Sequence, residues 1–365
     1  MPGNSIGRKF VLTIFGESHG LSVGVIINGC PAGLPLSEED VQKELDKRRP
    51  GVSEVVSSRV EEDKVQIFSG IFNGKTTGAP IGMLVWNKGV DSTPYDAIKH
   101  TPRPGHADFP VYMKYGGLAD YRGGGRFSGR MTVAFVMAGA VAKKLLATCG
   151  VETIAHTIEI GGVRIKREPS ITEIKRETYQ NPVRCADPKV ARQMARAIKK
   201  AKKEGDSVGG IVEGIALNVP VGVGCPIFDS LDADLAKLLF DIPAVKGVEF
   251  GAGFEAPRLK GSENNDQYGI RDGKIVTLTN KAGGILGGLS SGMPITVRVA
   301  FKPTPSIRKR QKTVDLKKMT ETTIEFGGKH DPCIVPRAVP VVESVLAIVL
   351  ADHMMRDHLI PKVLK

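Results

Sequence analysis

KFVLTIFGESHGLSVGVIIN, residues 9–28, reads as two strands, 9–15 and 23–28, meeting at the turn Gly16-Glu17-Ser18-His19-Gly20. Glycine lets the backbone of such a turn come close to a ligand. Glycine-rich turns recur between strand-like segments further along, and helix-like segments come late in each half of the chain. That order predicts an α+β fold with substantial antiparallel sheet rather than a doubly wound parallel sheet. No linker rich in Pro, Gly or Ser marks a change of composition, so residues 1–365 are expected to form a single domain.

Ser37 opens a helix, with Asp40 completing a capping box, and Lys47-Arg48-Arg49 supplies positive charge near its C-terminus. Residues 131–146 carry no charge before Lys143 and read as a core helix. Residues 151–166 and 209–220 read as strands. Asp187-Pro188 starts a basic helix that stops at Gly205. Helices are also expected over 230–240 and over 335–359, the latter interrupted by Pro340. Residues 78–106, rich in Gly, Pro, Thr and Asp, read as a long loop, and loops of that length are usually functional or disordered.

The chain has 365 residues, 41% hydrophobic and 25% charged, which is the composition of a soluble globular protein. A net charge of +12 favours anionic partners. Aromatic residues are only 5%, and no aromatic–basic RNA-binding signature, zinc finger or basic zipper is present, which argues against nucleic acid. The most apolar runs, 131–142 and 345–351, are too short to span a bilayer, and no apolar leader follows Met1. Cys30, Cys149, Cys185, Cys225 and Cys333 are scattered singly, so neither a structural zinc site nor a disulfide framework is indicated and a reducing cytoplasm fits.

His19 is matched by a second histidine in Arg103-Pro104-Gly105-His106-Ala107-Asp108. Histidine exchanges protons near neutral pH, and two such turns suggest two proton-transfer steps. Taken alone, each is better explained as a hydrogen-bonded loop residue than as a catalyst. Residues 122–132, RGGGRFSGRMT, lead into the core helix and combine exposed amides, a helix N-terminus and three arginines, a set suited to an anion. It is neither a Walker loop nor Gly-x-Gly-x-x-Gly. A second glycine cluster spans 281–292, and Phe301-Lys302-Pro303-Thr304-Pro305-Ser306 offers a lysine and two hydroxyls on a stiffened chain. Gly328-Lys329-His330-Asp331-Pro332-Cys333 precedes Arg337. His330 and Asp331 lack a third ligand at recognisable spacing, so no metal is expected.

The ordered set Gly-Glu-Ser-His-Gly, Arg-Pro-Gly-His-Ala-Asp, Gly-Gly-Gly-Arg-x-Ser-x-Arg, Ala-Gly-Gly-Ile-Leu-Gly-Gly, Lys-Pro-Thr and His-Asp-Pro-Cys resembles the chorismate synthase family, from Lys9 to about His353. The resemblance implies a layered α–β–β–α sandwich and a homotetramer. It implies a 1,4-anti elimination of phosphate from 5-enolpyruvylshikimate 3-phosphate, giving chorismate, with reduced FMN required and NADPH as a possible reductant. It assigns His19 to protonating the departing phosphate, His106 to protonating reduced flavin near N1, and Asp331 to assisting proton removal near N5. Arg48, Arg49, Arg103, Arg130 and Arg337 would bind the substrate's anionic groups. Arg126, Phe127, Ser128, Ala244, Gly287, Lys302, Pro303, Thr304, Pro305, Ser306 and Lys329 would contact FMN. The chain departs from the family pattern at Phe127, Gly129 and Met131, at Pro243 where asparagine is frequent, and at Glu54 where a basic residue is common.

Overall fold

Val11 pairs with Asn28 and Gly16 with Val23, so the opening segment folds as an antiparallel pair around the His19 turn. This is seen in a computed structural model, which describes residues 3–49, 62–327 and 331–365. Strands β1 (Val11–Gly16), β2 (Ser22–Asn28), β3 (Val65–Ile67) and β4 (Ile81–Trp86) build a first antiparallel sheet in the order Ser5–Ile6, β1, β2, β4, β3. Strands β5 (Glu152–Ile160), β6 (Gly210–Leu217), β7 (Val245–Phe250) and β8 (Ile295–Phe301) build a second in the order β7, β8, β6, β5, Val163–Arg164.

The main helices are α1 (Glu38–Arg48), α2 (Thr132–Ala147), α3 (Pro188–Lys203), α4 (Leu231–Phe240) and α5 (Val335–Arg356). The Ser37–Asp40 capping box forms at the start of α1, and Asp187 caps α3. Helix α3 packs Ala191, Met194, Ile198 and Ala201 inward, against β5 and the Val163–Arg164 edge, and leaves its basic face to solvent.

The α+β class and the antiparallel sheets are as the sequence pattern predicts. The layer order is the reverse of the expected one. Helix α2 packs on α5 and on β2, while α5 packs on β5 and β6. Residues 132–142 of α2 are buried without a break, and α5 is buried from Val335 to Met354 apart from Arg337. The strands instead alternate: Ile81, Met83 and Val85 of β4 are buried, as are Ile295, Val297, Val299 and Phe301 of β8. Helices covered on every side belong inside, and sheets with one apolar face belong outside. The layers therefore run β–α–α–β.

Three local expectations also change. Residues 78–106 contain β4, a strand flanked on both sides in the first sheet. Residues 151–166 break at Gly161-Gly162 into two strands. Helix α5 runs through Pro340, whose carbonyl accepts a hydrogen bond from Ser344 Oγ at 2.6 Å. By length and composition α5 could cross a membrane, yet 94% of its most apolar window is buried inside the protein.

The two central helices cross at Gly139. A Cβ there would lie 2.2 Å from Ser344 Cβ, so only glycine allows this approach. Gly139→Ala is expected to cost about 1–3 kcal/mol by overpacking. The measurement is the urea midpoint at unchanged slope; an unshifted midpoint would show that the crossing has slack.

Candidate active site

The His19 turn, the start of α2, the end of α4 and the start of α5 surround a cleft of about 510 Å³, a volume suited to small-molecule ligands. Among the described residues, six basic side chains line it (Arg48, Arg103, Arg126, Arg130, Lys302, Arg337) against two acidic ones, Asp241 and Asp331. That excess selects an anionic ligand.

His106 lines the cleft within a closed set of hydrogen bonds. Its Nδ1 lies 2.5 Å from Asp108 Oδ1. Arg103 donates to the same carboxylate in bidentate fashion, Nε to Oδ2 and Nη2 to Oδ1, both at 2.8 Å, and Nη1 donates to Ser306 Oγ at 3.1 Å. Burial pushes the Asp108 carboxyl up, but hydrogen bonds from Arg103 and His106 outweigh it and hold the group well below the usual carboxylate range. An ionised carboxylate only accepts, so the proton between the two groups sits on Nδ1. Nε2, 3.4 Å from Arg103 Nη2, is the ring nitrogen that does not meet the carboxylate.

His19 is 6% exposed and stands directly behind Ser18 and Gly123, both of which line the cleft. Gly123 has φ +60°, and a Cβ there would lie 2.2 Å from His19 Cδ2. Asn87 ties this turn down by donating to the carbonyls of Glu17 and Gly20 at 2.9 and 2.8 Å.

Asp63 joins two arginines on the opposite wall. Its side chain is fully buried, pairs with Arg48 Nη1 at 3.2 Å, and accepts a short hydrogen bond from Arg130 Nη1. Burial raises its pKa, yet the charges of Arg48 and Arg130 overcome that and leave the carboxyl below its ordinary value. Arg48 also donates to Thr132 Oγ1 at 2.9 Å and to the Gly129 carbonyl at 3.0 Å, so it braces the start of α2. Arg130 Nε donates to Asn87 Oδ1 at 2.9 Å. Arg337 Nη1 donates to Asp331 Oδ2 at 2.8 Å.

Arg126, Phe127, Ser128, Ala244, Lys302, Thr304, Pro305 and Ser306 line the cleft as well. Ala244 has φ +74°, a left-handed conformation uncommon for a residue with a Cβ. Four of the described residues expected at the site do not line the cleft: His19, set behind Ser18 and Gly123, and Pro303, Arg49 and Gly287. Pro303 sits between lining residues without lining the cleft itself. Arg49 pairs with Asp46 at the end of α1, 2.9 Å away, and does not line the cleft. Gly287 lies in the Ile285–Ser290 hairpin, whose Gly288 packs against Ser230 at the start of α4, whereas the cleft is lined by Phe240 at the other end of that helix. Lys329, His330 and Glu54 lie outside the described residues.

The family model described as chorismate synthase matches residues 10–355. The chain belongs to the chorismate synthase family. It is 57% identical over 357 residues to the chorismate synthase of Korarchaeum cryptofilum, covering 98% of this chain and 99% of that one. It is 56% identical over 357 residues to that of Methanococcoides burtonii, covering 98% and 97%. A crystal structure of chorismate synthase superposes with a TM-score of 0.75 at 30% identity, over 96% of this chain and 93% of the other. The activity is that of a carbon–oxygen lyase at the last step of the shikimate pathway, and the chorismate synthase family requires reduced flavin.

Four residues around this chorismate synthase cleft carry no assignment from the sequence. Asp108 stood inside a quoted motif, and only its 2.5 Å contact gives it a role. Asp63, Asn87 and Ser92 are single polar residues in irregular segments, where no periodicity marks them.

Proposed function

We propose that the cleft binds 5-enolpyruvylshikimate 3-phosphate beside reduced FMN and eliminates phosphate and a ring proton in a 1,4-anti sense, releasing chorismate. The observation that carries this is the convergence of six basic side chains with the His106–Asp108 pair in one cleft. The residues present suit a phosphorylated flavin. Thr304 Oγ1 is buried without a hydrogen-bond partner among the described residues, and Lys302 and Ser306 flank it. A buried hydroxyl left unsatisfied is costly unless a ligand oxygen meets it. Arg126, Ser128, Lys302, Thr304 and Ser306 would hold the flavin, and Arg103, Arg130 and Arg337 the substrate's carboxylates and phosphate. Arg48 would act through the loop it braces.

Held by these residues, reduced FMN would supply electron density for cleavage of the carbon–oxygen bond, in a reaction with no net oxidation or reduction. The chain supplies the proton transfers. His19 delivers a proton to the departing phosphate, which leaves as a better anion for it. His106 keeps its proton on Nδ1, directed at Asp108, and manages a second proton through Nε2. Asp331, set by Arg337, assists removal of the substrate proton. The resemblance supports NADPH as reductant, a homotetramer and a cytoplasmic location. The exposed apolar residues of the Tyr268–Thr277 hairpin, Tyr268, Ile270 and Ile275, support assembly. The five unpaired cysteines suit a reducing compartment.

The decisive experiment is anaerobic: pure protein, photoreduced FMN and substrate, with chorismate absorbance and phosphate release followed together. Stoichiometric appearance of both, with flavin still reduced at the end, is expected. Bound flavin without product would overturn the reading.

A further inference from the structure

Ser306 is the last of the cleft-lining residues in its segment, and the chain continues Ile307-Arg308-Lys309-Arg310-Gln311-Lys312. This run docks on the end of α3. Arg308 N donates to the Gly205 carbonyl at 2.9 Å, and Lys309 Nζ pairs with Asp206 at 2.7 Å. Ser207 Oγ donates at 2.7 Å to the carbonyl of Thr304, a cleft residue, and Val208 N donates to the Pro332 carbonyl beside Asp331. Residues 199–206 and 308–312 together hold eight basic residues and two acidic ones. All eight basic residues are exposed. Lys200, Lys203, Arg308 and Lys312 pair with no acid among the described residues. A cationic last turn suits the helix dipole, but a few charges satisfy it. The excess beyond that repels itself, a cost that packing does not explain.

We propose that this basic patch steers anionic ligands to the cleft, speeding the arrival of FMN and of 5-enolpyruvylshikimate 3-phosphate without holding either once bound. The inference rests on these being the ligands, as proposed above. Arg308 follows Ser306 by two residues, at most about 7 Å of chain. The end of α3 is tied directly to Arg308 and to Thr304. The Debye length is about 8 Å at physiological ionic strength, so the field of the patch reaches the cleft wall before salt screens it. The six basic side chains inside the cleft carry the same sign, so an anion is drawn first to the patch and then onward. Charges outside a site act on encounter more than on the bound complex. The effect grows with the charge of the ligand. The substrate, with two carboxylates and a phosphate, should feel it most, FMN with its one phosphate less, and riboflavin with none not at all.

The test is a triple variant of the full chain, Lys203→Gln with Arg308→Gln and Lys312→Gln, none of which lines the cleft. Association of oxidised FMN is followed by stopped-flow flavin fluorescence, and substrate capture as kcat/KM in the flavin-loaded enzyme. At low ionic strength the association rate of FMN should fall about 3- to 10-fold, with its dissociation rate and kcat unchanged. The fall in kcat/KM for the substrate should be at least as large. Both differences should vanish near 1 M salt, where the Debye length is about 3 Å. Riboflavin should bind the variant and the wild type at equal rates. The charge-keeping triple, Lys203→Arg with Arg308→Lys and Lys312→Arg, should behave as wild type. An unchanged association rate at low salt overturns the steering role and leaves the reading of the cleft intact. So does a loss that high salt does not abolish or that riboflavin shares, since that is structural damage. A wild type that binds neither FMN nor substrate removes both.

Discussion

His106→Ala is expected to lower kcat about 10²- to 10⁴-fold, the usual worth of a positioned acid–base group. The KM for 5-enolpyruvylshikimate 3-phosphate should stay within a few-fold, because Arg103, Arg130 and Arg337 remain in the cleft. Asp108→Asn should cost a similar factor through a different route. The amide can donate where the carboxylate only accepted, so the imidazole is free to take the wrong tautomer. Unlike His106→Ala, it should also raise KM, since Arg103 loses its bidentate partner. Steady-state kinetics under anaerobic conditions, at fixed reduced FMN, separates the two. Near-normal turnover in His106→Ala would remove its assigned part in catalysis. A normal KM in Asp108→Asn would show that Arg103 is held by Ser306 and its aromatic neighbours, Tyr95 and Phe326, alone.

Much of the fold is legible in local pattern. The strand pair around His19, the Ser37 capping box and the α2 core helix follow from two- and 3.6-residue periodicities and from side-chain caps. The layer order does not. An unbroken apolar run says that α2 is buried, but not whether a sheet or a second helix covers it; Gly139 against Ser344 settles that, and they are 205 positions apart. Strand β4 is hidden because its flanks are Gly, Pro and Asn, so the alternation Ile81, Met83, Val85 is lost among turn residues. At the site, motif order located His106, Arg103, Arg130 and the Lys302 segment. It could not separate glycines that shape a cleft from glycines that shape a remote hairpin, which is why Gly287 falls at the wrong end of α4. Nor could it reveal Asp63, whose meaning depends on two arginines brought from α1 and the start of α2.

Asp63→Ala is expected to be the most destabilising single change at the site, by about 3–5 kcal/mol, because it removes a fully buried carboxylate shared by two buried guanidiniums. Asp63 has no exposed side-chain surface, and Arg48 and Arg130 are 3% and 6% exposed, so water cannot replace the carboxylate. The loss is a large share of the 5–15 kcal/mol that typically holds a domain together. Urea unfolding followed by fluorescence and circular dichroism measures it. The wild type should show the matching pH dependence. A carboxyl held below its ordinary value contributes stability that is fully present above its unfolded pKa, near 4, and is lost as the pH falls through the folded value. Asp63→Ala should therefore have a flatter acid limb than the wild type. An unshifted urea midpoint in Asp63→Ala would mean that the other partners of the two arginines, Thr132, Gly129 and Asn87 among them, are enough to hold them. The carboxylate would then serve only to tune charge in the cleft.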